Sequence, residues 1–185
     1  MSIGRGLQII GALAVVGLAA ACTRGPQLPC PTASILADAS AITLFAGTGQ
    51  DLTDVAYRAS IDQVGRACVY DRGGESVTST TSVRLVATRG PAAQVSEASF
   101  VFFVAVVDGE QTILARERFE STFTFQANQR QAAAIEEIEQ LIPIRSGLRG
   151  IDYEILVGFE LTPEQLEFNR EERQRSTGLP RIPGR

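Results

Sequence analysis

Strict alternation of apolar and polar side chains, with a period of two, narrows the fold of this chain more than any other feature. Val55, Tyr57, Ala59 and Ile61 alternate with Ala56, Arg58, Ser60 and Asp62. Val77, Ser79, Thr81, Val83, Leu85 and Ala87 alternate with Thr78, Thr80, Ser82 and Arg84. Ile151, Tyr153, Ile155, Val157, Phe159 and Leu161 repeat the pattern, as do Phe119, Ser121, Phe123 and Phe125. A strand turns successive side chains to opposite faces, so these stretches predict half-buried strands. Gly65 interrupts the first of them as a candidate bulge before Ala67 to Tyr70.

Turn signals separate the strands. Gly47 to Asp51, Asp71-Arg72-Gly73-Gly74, Arg89-Gly90-Pro91 and Asp108-Gly109 each carry glycine or proline. Phe100 to Val107 is apolar on both faces and has strand length, which predicts a strand covered on both sides, with Thr112 to Ala115 as its hairpin partner. Ser34 to Ile42 reads as a first strand. Gln131 to Ile144 fits two patterns. Ile135, Ile138 and Leu141 or Ile142 suit a helix face; a strand would align Ile138, Ile142 and Ile144 but also point Gln140 inward. Its strand neighbours favour strand.

One helix is well signed. Thr162 is its N-cap, Pro163 its first residue, and Gln165 completes a capping box; Leu161 and Leu166 can staple its start. It is expected to run to about Arg173. The whole reads as an all-β fold, an antiparallel β-sandwich of seven or eight strands, immunoglobulin-like, with one short C-terminal helix.

The N-terminus carries an address. Arg5 precedes an apolar run, Leu7 to Ala21, that ends Leu18-Ala19-Ala20-Ala21-Cys22. These are the parts of a secretory signal, and the ending looks like a bacterial lipobox, in which a lipid is attached to the cysteine after cleavage. A soluble secretory signal cut after Ala21 and an uncut anchor are the other readings. The run is shorter than the ~20 apolar residues of a helical span. Residues 1–21 are therefore expected to be a signal peptide, 22–40 a tether, 41–175 the sandwich with its helix, and 176–185 a disordered tail. Thr23, rather than Asp, follows the cysteine. By analogy with the sorting rule of enteric bacteria, this favours the outer membrane, facing the periplasm.

Cysteine arithmetic agrees. Of three cysteines, lipidation uses Cys22 and leaves Cys30 and Cys68 to pair in an oxidising compartment. Closing that loop is worth ~4 kcal/mol in the chain-entropy model. Two separate buried thiols are the other reading.

Composition excludes more than it includes. The formal net charge is −4, which argues against nucleic acid as a partner. With no His there is no Ser-His-Asp machinery and no His-ligated zinc; with no Lys there is no Schiff base and no P-loop. Catalysis would fall to acids. Glu136, Glu137 and Glu139 cluster, but adjacent residues cannot share one side of a strand. Asp51 and Asp54, beside a glycine turn, suit Ca²⁺ only loosely and turn duty well. No catalytic, metal or cofactor residue is assigned. Phe168 and Leu166 of the helix can pack on the sheet or meet a partner; the tail arginines Arg175, Arg181 and Arg185 read as solubility.

Two stretches, CPTASILADASAITLFAGTGQDLTDVAYRASI (Cys30 to Ile61) and DYEILVGFELTPEQLEFNR (Asp152 to Arg170), together with the lipobox, resemble small lipoproteins of alphaproteobacteria. The resemblance implies an exported, lipidated envelope protein and brings no catalytic residues with it. The expectation is a non-enzymatic envelope lipoprotein, held to the membrane by its lipid, that binds or scaffolds an envelope protein partner. An accessory subunit of a transport or secretion complex, or a carboxylate-based hydrolase, are the alternatives.

Overall fold

The computed structural model describes residues 28–177. The alternating stretches form strands β1 (Thr32–Ile35), β2 (Ala41–Phe45), β3 (Val55–Tyr70), β4 (Ser76–Arg89), β5 (Glu97–Asp108), β6 (Ile113–Thr124), β7 (Gln131–Pro143) and β8 (Tyr153–Phe159), and the chain closes on helix α1 (Pro163–Thr177). One sheet has the order β1-β8-β5-β6 and the other β2-β3-β4-β7. Every pairing is antiparallel except β1 with β8, which is parallel. This is the expected all-β sandwich with a single C-terminal helix. In an immunoglobulin constant-type sandwich the last two strands lie side by side; here β7 and β8 lie in opposite sheets.

β4 shows how the pattern becomes a core. Val77, Val83, Leu85 and Ala87 are fully buried, while Thr78, Thr80 and Ser82 on alternate positions face outward. Facing them, β5 supplies Phe100, Phe102 and Val104, and β8 supplies Tyr153, Ile155 and Val157. Burying one such large side chain contributes roughly 1.5–3 kcal/mol. Cys30 and Cys68 are joined as a disulfide with their Cα atoms 5.7 Å apart, which ties the start of the described chain to β3.

Several expectations need correction. Ser34 to Ile42 is not one strand. β1 and β2 belong to opposite sheets, and a 3₁₀ turn at Ala37–Ala39 carries the chain between them. The ordered fold therefore already includes β1, inside the span expected to be a tether. The bulge on β3 lies between Ile61 and Gln63, not at Gly65. Gly65 serves close packing instead, because a Cβ there would lie 2.4 Å from the Ser82 hydroxyl oxygen. The two expected strands, Thr112 to Ala115 and Phe119 to Phe125, merge into one, β6 (Ile113–Thr124), which pairs with β5 along its length and leaves Thr112 and Phe125 just outside it. Arg116, Glu117 and Arg118 do not break it, because they are exposed on an edge strand. β8 is shorter than its pattern, and Ile151 falls in a 3₁₀ turn at Gly150–Asp152.

The ambiguous segment 131–144 is strand, paired with β4 from Gln131 to Pro143. The expected N-terminal box of α1 is present: the Thr162 amide donates to Gln165 Oε1 (2.9 Å), and the Gln165 amide donates to Thr162 Oγ1 (3.3 Å). The helix runs past Arg173 to Thr177, so the first two residues of the expected tail are helical. The expected signal peptide, Cys22 and residues 178–185 lie outside the described residues.

As the strand reading requires, Gln140 faces the core. It is 5% exposed, and neither its amide nitrogen nor its amide oxygen has a hydrogen-bond partner among the described residues. An unmet buried polar group costs about 1–3 kcal/mol. Gln140→Leu is therefore expected to raise stability by about 1–3 kcal/mol, read as a higher urea midpoint with an unchanged slope. A lower midpoint would show that the amide is satisfied in solution.

Candidate functional site

Helix α1 is held against the sandwich by specific polar contacts, and these build the most developed surface feature of the molecule. Asn169 is buried, and its amide donates to the carbonyls of Asp38 (2.9 Å) and Ala41 (2.7 Å), on either side of the crossing between β1 and β2. The Asp38 carboxylate takes Arg170 Nε (3.0 Å) and Arg173 (2.5 Å). Its hydrogen bond to Asp38 is the main cause that raises the Arg170 pKa above its ordinary value. Arg58 meets Glu172 through both carboxylate oxygens (2.9 and 3.2 Å). Phe168 packs edge-on against Phe45, with ring centroids 5.3 Å apart, so it serves packing.

Between α1, the 37–39 turn and the outer face of the β1-β8-β5-β6 sheet lies an open groove of about 560 Å³. Phe103, Leu161 and Leu166 give it an apolar floor. Gly158 lets the turn approach, since a Cβ there would come within 2.9 Å of Ala39 and 3.2 Å of the Phe103 ring. The rim is charged, with arginines outnumbering carboxylates. Asp38 is held by two arginines, and Glu160 by Arg116 (2.5 Å) and Arg118 (3.8 Å). The Arg116 guanidinium also lies 4.3 Å from the centre of the Phe103 ring, within cation–π range. The groove is chemically suited to hold an apolar group with polar ends.

The acidic candidates fall elsewhere. Glu136 turns toward the sandwich interior and accepts a hydrogen bond from Ser121 (2.7 Å), while Glu137 and Glu139 are exposed. Asp51 and Asp54 close the 3₁₀ turn Leu52–Asp54, the Asp51 amide donating to Asp54 Oδ2 (3.2 Å). Among the described residues no group of three His, Cys, Asp or Glu side chains is placed to hold a metal.

At the far end of β5, Asp108 Oδ1 accepts the Thr112 and Glu110 amides (both 3.0 Å) and Oδ2 accepts Arg145 (3.2 Å). These bonds, the Thr112 amide first, lower its pKa below the usual 3.8 against the opposing effect of burial.

Neither Asp38 nor Asn169 was singled out by the pattern of the chain. Asp38 lies in a segment that reads as a tether, and its partners are 131 or more residues away. Asn169 offered one weak signal, a poor helix former in mid-helix. No family model matches the chain, and no curated protein or solved structure does.

Removing the Asn169 amide leaves two carbonyls without their partner, so Asn169→Ala is expected to cost about 1–3 kcal/mol. Hydrogen exchange should show lost protection across 163–177 with β4 and β5 unchanged; equal protection would mean that the ion pairs alone hold the helix. Asp108 stabilises the fold above pH 3.8, and that contribution is lost as pH falls below 3.8 through its lowered folded value. Urea unfolding of Asp108→Asn should accordingly give a shallower loss of stability on acidification than the parent chain, and identical slopes would rule out this role.

Proposed function

We propose that the chain is exported, cut before Cys22 and anchored to the outer membrane by lipid on that cysteine, with the sandwich facing the periplasm as a binding or scaffolding module. The Cys30–Cys68 bond carries the reading. Disulfides persist in exported proteins and are rare where the cytosol keeps thiols reduced. With those two cysteines paired, Cys22 is the remaining thiol, and it stands directly after the Leu-Ala-Ala-Ala ending of the apolar run.

Among the described residues no helix is long and apolar enough to cross a membrane. Attachment through Cys22 needs none. The resemblance of Cys30–Ile61 and Asp152–Arg170 to alphaproteobacterial lipoproteins supports the same address. Binding is favoured over hydrolysis by the groove itself, where an apolar floor meets carboxylates that are each held by arginine.

Cys22→Ala is the deciding variant. In a bacterial host it should accumulate as uncut precursor or leave the membrane fraction, and it should take up no labelled fatty acid. Lipid labelling of that variant at the parent level would overturn the proposal.

A further inference from the structure

We propose that one end of the sandwich, the end bearing the Cys30–Cys68 bond, rests on the lipid bilayer and inserts exposed apolar side chains into its interface. The inference rests on lipid attachment at Cys22, and it adds an orientation and a second membrane contact.

The argument begins with reach. Cys30 lies eight residue steps after Cys22, and a chain spans at most ~3.5 Å per step, so the leash is at most about 28 Å. The 14-residue strand β4 at ~3.4 Å per residue gives the sandwich a long axis of about 48 Å. The leash is shorter than the body it holds. Because the disulfide fixes its end to β3, the end of the sandwich around Cys68 stays within reach of the membrane, while the opposite end can lie farther out.

The same end gathers the loops. The Tyr70 hydroxyl donates to the Pro29 carbonyl (2.6 Å) and accepts the Gly150 amide (3.1 Å). The Ile144 amide donates to the Glu75 carbonyl (2.8 Å), and Arg145 reaches Asp108 at the foot of the β5–β6 turn. Three chain reversals and the first described residues therefore share one end.

That end exposes several large apolar side chains among its charged loop residues. Val69 and Leu141 are 72% and 68% exposed, and both flank Thr78 in the strand register, on the outer face of the sheet. Leu148 and Ile151 are exposed on either side of Gly150, and Leu28 is exposed next to Pro29. Arg72 at the β3–β4 turn is an exposed cation among them, Arg149 beside Gly150 pairs with Asp152 (3.7 Å), and Asp71, Glu75 and Glu110 are exposed acids of the same turns. Exposed apolar groups gathered at one place mark an interaction surface. Leucine and isoleucine flanked by arginine suit the boundary between acyl chains and headgroups. A surface held within about 28 Å of a bilayer has lipid as a constant neighbour.

The chain contains no Trp, so a single introduced indole reports its own surroundings. Full-length lipidated protein carrying Leu148→Trp is reconstituted in vesicles of phosphatidylethanolamine and phosphatidylglycerol with brominated acyl chains. Leu52→Trp is the reference, at a site 87% exposed on the turn that leads into β3 at its far end from Cys68. Emission from residue 148 should shift to the blue and be quenched several-fold more than emission from residue 52. Ile151→Trp reports the same surface if the first variant folds poorly.

Equal quenching at both ends, with the protein still sedimenting with the vesicles, overturns the seated orientation and leaves the anchor standing. Absence of acyl mass on Cys22 overturns both. Photo-crosslinking from residue 148 in the native envelope to a protein rather than to lipid also overturns it, and gives this end to a protein partner.

Discussion

Two sheets packed face to face require that every second side chain be apolar and sized to its opposite number. β4 meets that requirement at Val77, Val83, Leu85 and Ala87, and the molecule is organised around it. Its inward residues face Phe100, Phe102, Tyr153, Ile155 and Val157 across the core, and its outward threonines and serine leave the other face solvated. Where the inward row turns polar, at Ser79, Thr81 and Gln140, the core has its weakest point. The Gln140 amide is a local departure from a pattern that is otherwise consistent.

The edges follow from the same arrangement. A sandwich leaves two strands unpaired on each open side, and an unpaired strand invites pairing with another chain. On one side these are β6 and β7. β6 carries Arg116, Glu117 and Arg118, and β7 carries Glu136, Glu137 and Glu139. Charged groups on an edge discourage accretion of further strands. The acidic cluster that first suggests catalysis is explained by this protective role, with Glu136 also bonded to Ser121 across the two edges.

The helix and the disulfide work at different ends. α1 is fixed to the 37–39 turn by Asn169, Arg170 and Arg173, and this leaves the groove with its arginine-rich rim. The disulfide fixes the chain start to the opposite portion of β3, close to the 71–75 and 144–152 loops. The groove at the helix and the exposed apolar residues near the disulfide are thus separated surfaces on one body. Under the proposed attachment at Cys22, the groove would stay clear of the membrane.

Strand identity, turn positions, the N-terminal box of α1 and the pairing of Cys30 with Cys68 were all legible in the sequence. Each depends on neighbours in the chain, on φ/ψ preferences, or on cysteine arithmetic. Residues 131–144 could be settled as strand only by the β4 edge that receives them, because alanine and isoleucine suit either element. The splitting of residues 34–42 between two sheets, the continuity of β6 through three charged residues and the position of the β3 bulge were decided by pairing across the fold. So were the groove and the apolar end. Asp38 meets Arg170 and Arg173, and Tyr70 meets Pro29 and Gly150, across separations that no local pattern records. Side-chain alternation is a property of one strand, and the sequence alone determined it. Which strand lies beside which, and what their loops bring together, is a property of the packed pair of sheets, and only the tertiary structure decided it.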